Sequence, residues 1–338
     1  MQAKIQNIQV RQHVSIVIPC YDEQDVLPLA WTRIKSLADK SKHYGFEFVF
    51  VDDGSRDDTM KQLRHMANVD NRVRVLGFAR NFGHQIAATA GIEAATGDCV
   101  VLIDADMQDP PEVVERMLEK WEEGYDVVYG VRQKRPGETW FKLTSAKGFY
   151  RFLNRLSDVQ IPLDAGDFRL LSRPVVEVLR QMPEKHRFLR GMVAWVGFRQ
   201  YALPYERDSR LAGVSKYPLS KMLKFAADGI VSFSTKPLRI ATNLGLMASA
   251  LALLGILYAV IMRIFTSTWV EGWTGLIIAI LFIGGVQLIS LGVIGEYLGR
   301  VYEEVKNRPL FVLREKIGFP DSDTMAPTTT RKNKVDST

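Results

Sequence analysis

Two long apolar runs set the tightest limit on what this chain can become. Residues 240–262 (IATNLGLMASALALLGILYAVIM) and 274–295 (TGLIIAILFIGGVQLISLGVIG) hold no charged residue. Each is about 22 residues long, which at ~1.5 Å per residue crosses a ~30 Å hydrocarbon layer and exceeds the length of most buried core helices. The expectation is a pair of transmembrane helices at about 240–262 and 274–298. Lys236 and Arg239 precede the first run, Arg300, Lys306 and Arg308 follow the second, and the link TSTWVEGW has no Lys or Arg. The cytoplasmic bias of basic residues then makes the runs a hairpin in the inner membrane with both chain ends in the cytoplasm. Trp269 and Trp273 suit the far interface. Gly284, Gly285 and Gly292 would allow close helix packing, either within the hairpin or between copies in a homo-oligomer.

The N-terminal MQAKIQNIQVRQHVS is polar and lacks the pattern of a secretory signal, so residues 1–235 are expected as a cytoplasmic domain, 236–300 as the hairpin and 301–338 as a cytoplasmic segment. A net charge of +6 and a pI near 9.2 admit nucleic acid or an anionic membrane as partner. No aromatic-and-basic nucleic-acid module is visible, and the bilayer is favoured. Basic and large apolar residues alternate at near-helical spacing over about 138–157 and 217–235, as in helices lying on a membrane surface; helices packed on a soluble core would read the same way. The polar tail DSDTMAPTTTRKNKVDST is expected to be disordered. Cys20 and Cys99 sit in apolar strand-like runs and read as buried thiols rather than a disulfide.

Residues 14–130 alternate β-rich runs (VSIVIPCY, EFVFVDDG, VRVLGFA, CVVLIDAD) with amphipathic stretches such as EQDVLPLAWTRIKSLADKSK and DTMKQLRHMANVD. This alternation predicts an α/β domain with a mainly parallel sheet covered by helices. Ligands of such sheets collect at the carboxyl ends of the strands. There the chain places Asp22 and Glu23, then Asp52 and Asp53, then Asp104 and Asp106.

VLIDADMQDPPE puts four carboxylates after one apolar run. Asp104 and Asp106, two residues apart on an extended chain, share a face and could hold Mg²⁺ or Mn²⁺, with Gln108 as a neutral third ligand; a solvated strand end is the alternative. An EF-hand is excluded, because its glycine position holds Asp109. Asp109 reads as the N-cap of a helix beginning with two prolines, with Glu112 completing the cap. Asp52 could bond a ribose or base edge, or simply shape the turn with Asp53, Gly54 and Ser55. Pro19, Tyr21 and Glu23 end the first strand where a nucleoside could lodge. RNFGHQIAATAGIEAATGD opens an Ala-rich helix able to approach the sheet closely, and His84 reads as a capping or packing residue.

Together VSIVIPCYDEQDVL, VFVDDGSRDDT, RNFGHQIAATAGIEAATGD, VLIDADMQDPPE and DAGDFRLLSR resemble family-2 glycosyltransferases of GT-A fold. The similarity points to those acting on polyprenyl phosphates, a group that includes dolichyl-phosphate mannose synthase. With GVIGEYLGRVYEEVKNRP after the hairpin, the chain is similar to the bactoprenol glucosyltransferase subgroup. The resemblance implies a nucleotide-sugar site of Pro19, Tyr21, Glu23, Asp52, Asn81, Gln85, Asp104, Ala105, Asp106 and Arg132. It also implies metal ligation by Asp104, Asp106 and Gln108, catalytic roles for Asp106, Asp167 and Arg210, and a lipid-phosphate site of Ser145, Lys147, Arg151, Ser215 and Lys216.

The implied reaction moves a hexose, glucose from UDP-glucose by the subgroup likeness, onto polyprenyl phosphate; GDP-mannose is the alternative donor, and a non-catalytic lipid-phosphate scaffold the alternative of another class. A flippase and a downstream glycosyltransferase would be the partners. A phosphate monoester is largely ionised at neutral pH, so no strong base is required, and Asp167 is expected to orient sugar and acceptor during one inverting displacement.

Overall fold

The computed structural model describes residues 11–41, 43–132, 165–207, 234–265 and 273–320. Ser145, Lys147, Arg151, Arg210, Ser215, Lys216, Trp269, the tail from residue 321 and both amphipathic stretches, the second up to residue 233, lie outside the described residues. Two compact units are present: one holds described residues up to 132, 165–207 and 309–320, and the other residues 234–308.

In the first unit, β1 (Gln12–Cys20), α1 (Leu27–Lys40), β2 (Tyr44–Asp52), α2 (Thr59–Val69), β3 (Val73–Phe78), α3 (His84–Ala94) and β4 (Cys99–Leu102) follow the predicted alternation. From Val14 in β1 and Phe46 in β2 onward, every strand residue is buried. Helices therefore cover both faces of these strands, as parallel sheets require. The helix α1 buries Leu27, Ala30, Ile34, Leu37 and Ala38, the stripe expected at three- and four-residue spacing. Close approach of α3 depends on small residues: a Cβ on Gly91 would lie 2.3 Å from Val17 Cγ1. Cys20 and Cys99 are buried free thiols.

The chain continues through α4 (Val113–Glu122), β5 (Val127–Arg132), β6 (Ala165–Ser172), α5 (Arg173–Gln181), α6 (Leu189–Trp195) and β7 (Gln200–Tyr205). The sheet has eight strands in the order β7-β5-β6-β4-β1-β2-β3-β8. Pairings β1 with β2 and β4, β2 with β3, and β5 with β7 are parallel. Antiparallel pairing begins where β6 enters between β4 and β5. Register aligns Cys20 with Asp52, Asp52 with Gly77, and Val17 with Leu102, so the strand ends carrying the acidic residues form one edge.

The last strand, β8 (Leu313–Ile317), pairs antiparallel with β3. Glu315 receives two hydrogen bonds from Arg64 at 2.6 and 2.8 Å, and Phe311 stacks on Phe78 with centroids 5.0 Å apart. The sequence reading contains no such strand.

The second unit contains α7 (Lys236–Phe265) and α8 (Trp273–Val305), which pack on each other. Their large apolar residues face outward, with Leu253, Leu281 and Leu288 about two-thirds exposed (68%, 69% and 72%). Such bareness is incompatible with a soluble core helix and matches helices whose surroundings are hydrocarbon. Both are candidate membrane spans by length and composition. Directly after the apolar run, Glu296 pairs at 3.4 Å with Arg300, one turn further on.

Candidate active site

The edge formed by the ends of β1, β2 and β4 is built by loops that fasten to one another. Asp22 Oδ1 accepts from Arg56 N at 2.8 Å, Glu23 N donates to Thr59 Oγ1 at 2.9 Å, and Gln24 N donates to Asp57 Oδ2 at 3.1 Å. This zipper holds Pro19 buried and leaves Tyr21 39% exposed above it. Asp52 is buried and accepts from Ser55 N at 3.3 Å, the turn-forming role; burial pushes its carboxyl upward against those bonds. Asp53 receives Phe82 N at 2.7 Å and Gly83 N at 2.9 Å, tying this loop to the start of α3. Asn81 is exposed just before that start.

After β4 the chain turns sharply. Met107 is fully buried with φ +52°, a left-handed conformation costly for a side chain of its size, and Asp106 Oδ1 accepts from Gln108 N at 3.2 Å. Ala105 is buried, while Asp104, Asp106 and Gln108 are partly exposed. Asp104 Oδ1 is a buried acceptor without a hydrogen-bond partner. Burial and the nearby Asp167, Asp109 and Asp106 raise the Asp104 carboxyl, with His84 opposing. A hard divalent cation suits this donor set: two carboxylates, one with an unsatisfied oxygen, and a neighbouring amide. Among the described residues no group of three or more His, Cys, Asp or Glu side chains gathers as a metal site.

Asp167, in β6, is 9% exposed and heavily braced. Arg190 from α6 grips it with Nε at 2.8 Å from Oδ1 and Nη2 at 3.2 Å from Oδ2. Gln85 Nε2 donates to Oδ2 at 3.1 Å, while Gln85 Oε1 accepts Leu189 N at 3.1 Å. Burial works to raise the carboxyl, but His84 and Arg190 overcome it and hold Asp167 well below the usual carboxylate range. His84 Nε2 lies 3.5 Å from Asp104 Oδ1 and 3.6 Å from Asp167 Oδ2. These acids raise the imidazole's affinity for a proton against the desolvation of a ring that stays partly open to solvent.

His84 is thus neither cap nor packing residue, since α3 has no side-chain cap and the ring sits between two acids. Its position between Asn81 and Gln85 in RNFGHQ was the available signal. Arg190 gave none, because its partner is distant in sequence. The capping role assigned to Asp109 is also corrected: α4 starts at Val113 with Glu112 as N-cap and without a side-chain cap bond, and Asp109 is completely buried elsewhere. Glu112 instead meets Arg33 at 2.8 Å on the surface.

The acids gather at the carboxyl edge of a mostly parallel sheet, on a chain that also carries an apolar helical hairpin. Residues 15–180 match the Glycosyl transferase family 2 model, and residues 236–301 match the GtrB C-terminal hairpin. The chain is 48% identical to the uncharacterized glycosyltransferase YkcC of Bacillus subtilis, with 90% of this chain and 94% of the relative covered. It is 40% identical to the SfII prophage-derived bactoprenol glucosyl transferase of Shigella flexneri, over 89% of this chain and 97% of that protein. A prophage bactoprenol glucosyl transferase homolog of Escherichia coli is 39% identical over 89% of this chain and 98% of its own length. The chain belongs to glycosyl transferase family 2 and is a glycosyltransferase.

Proposed function

We propose that this enzyme transfers a hexose, glucose from UDP-glucose, to the phosphate of a polyprenyl phosphate such as undecaprenyl phosphate, with inversion at the anomeric carbon. The acceptor and sugar are supported by relatives named bactoprenol glucosyl transferases at about 40% identity and by the hairpin. The observation that carries the reading is the pairing of Asp104, whose buried Oδ1 accepts no hydrogen bond, with an ionised Asp167 across His84. Basic flanks of the hairpin favour a catalytic unit and chain ends on the cytoplasmic side of the inner membrane.

Pro19, Tyr21, Glu23 and Asp52 would receive the nucleoside; Asn81, Gln85 and Ala105 would line the sugar diphosphate. A divalent cation, Mg²⁺ or Mn²⁺, held by Asp104, Asp106 and Gln108 would neutralise the charge developing on the leaving diphosphate. Arg132 adds a fixed cation for the same charge. Asp167, held rigidly by Arg190 and Gln85, orients sugar and acceptor. An acceptor phosphate oxygen forms the new bond to the anomeric carbon as the bond to the diphosphate oxygen breaks, and the bonding pair leaves with the nucleoside diphosphate. No protein base is needed, because the phosphate arrives ionised.

The test uses the full chain in lipid vesicles with undecaprenyl phosphate, Mg²⁺ or Mn²⁺, and a panel of nucleotide sugars. Release of nucleoside diphosphate dependent on both lipid and metal is expected with UDP-glucose. No release with any donor would refute the reading.

A further inference from the structure

One buried carboxylate has no place in this mechanism. Asp109 is 0% exposed, yet it is followed by two prolines and caps nothing. Its partners come from the far side of the sheet. Tyr205 donates its hydroxyl to Oδ1 at 2.5 Å and Arg207 Nε donates to the same oxygen at 3.0 Å. The second oxygen, Oδ2, is buried without a hydrogen bond, and Arg132 Nη2 stands 3.8 Å from it.

Sheet register brings these groups together. Arg132 and Tyr205 are the last aligned pair of parallel strands β5 and β7, and Arg132 Nε points to the Tyr205 hydroxyl at 3.4 Å. The guanidinium then passes over the backbone of β6 at Gly166. A Cβ on Gly166 would lie 3.0 Å from Arg132 Nη2, so a glycine there leaves the channel open. Gly130 does the same for the tyrosine, because a Cβ there would lie 2.7 Å from Tyr205 Cε1. The Tyr205 ring is fixed in turn by an edge contact with Phe168, centroids 5.6 Å apart. A buried anion touching one arginine and facing a second carries a desolvation cost that apolar packing would avoid, and with its tyrosine bridge locked on both sides it fixes where those cations stand.

We propose that Asp109 is a positioning residue: with Tyr205 it sets Arg132 at the end of β5 so that the guanidinium meets the nucleoside diphosphate leaving group. Asp109 itself touches no substrate. This deepens the function proposed above and rests on it. It makes the DADMQD segment act in two directions, Asp104 and Asp106 toward a metal and Asp109 toward the cation, Arg132, that shares the same diphosphate.

The experiment is a double-mutant cycle on the full chain in lipid vesicles, with UDP-glucose, undecaprenyl phosphate and Mg²⁺, measuring kcat and KM alongside the thermal unfolding midpoint. Asp109→Asn keeps shape and removes charge; Tyr205→Phe removes only the hydroxyl and guards against misfolding of the first variant. Each is expected to lower kcat about tenfold or more, the scale of one charged hydrogen bond, with a smaller change in KM. In an Arg132→Ala background the same substitutions should cost less than about threefold, because the group they position is gone. Full additivity in both cycles, or unchanged kcat with only a lowered unfolding midpoint, would overturn the proposal and leave Asp109 a fold brace. Wild-type inactivity with every donor would overturn the parent reading, and this one with it.

Discussion

Removing Arg190 should disable the enzyme without dismantling its fold, by an amount the geometry around Asp167 sets. The two bonds from Arg190 are charge-assisted and end on a carboxylate whose side chain is 10% exposed. Breaking a buried ion pair costs about 3–5 kcal/mol. Arg190 is itself 27% exposed, and Gln85 and His84 stay in place, so solvent screening discounts that cost to about 2–3 kcal/mol. If that energy holds Asp167 in its reacting orientation, Arg190→Ala lowers kcat/KM about 30- to 150-fold. Arg190→Lys restores the charge but not the two-pronged fork, and should recover roughly half of the lost free energy.

The pH dependence has a definite sign. Arg190 helps hold the Asp167 carboxyl below its ordinary range, so without it burial dominates and the pKa rises. Activity that needs the carboxylate then fails at higher pH on the acidic side, and the acidic limb of kcat/KM moves upward. The assay is nucleoside diphosphate release across pH 4 to 8 in vesicles, with the unfolding midpoint measured in parallel. A loss below about threefold, or an unmoved acidic limb, would refute the bracing role of Arg190.

Asp104→Ala and Asp106→Ala should each abolish metal-dependent turnover while the unfolding midpoint and circular dichroism stay near wild type; residual turnover above a tenth would argue against cation binding there. Gly91→Ala should destabilise the first unit by about 1–3 kcal/mol, because the added methyl overlaps Val17, and chemical denaturation would show an early transition. Asp70 is held down to about 2 by hydrogen bonds from Arg72, so its contribution is intact above its unfolded pKa near 4 and disappears as pH falls toward 2. Asp70→Asn should therefore lose on the order of 1 kcal/mol at pH 7 and little at pH 2, by equilibrium unfolding at the two pH values.

The alternation of β1 to β4 with α1 to α3 was legible because the strands are continuous apolar runs and the helices between them bury a stripe of period 3.6. The hairpin was legible from length and absence of charge. What escaped is set by partners far along the chain. Asp109 looked like a cap because Pro110, Pro111 and Glu112 follow it; Tyr205 and Arg207, nearly a hundred positions later, claim its carboxylate instead. His84 looked isolated until β6 placed Asp167 3.6 Å from its ring. Insertion of β6 antiparallel between β4 and β5 has no local signature, and β8 only becomes a strand because β3 offers an edge.

That last pairing has a consequence for biosynthesis. β3 emerges from the ribosome early, but its partner β8 is not made until both helices of the hairpin have been translated. At ~5–20 residues per second, the edge of β3 stays uncovered for on the order of ten seconds or more, during which a bare strand can pair with another nascent chain. Ending translation after Arg308 would make that vulnerability permanent. Such a chain is expected to aggregate even when both apolar helices are inserted, while a chain carried through Phe319 is not, as pelleting after detergent extraction would show.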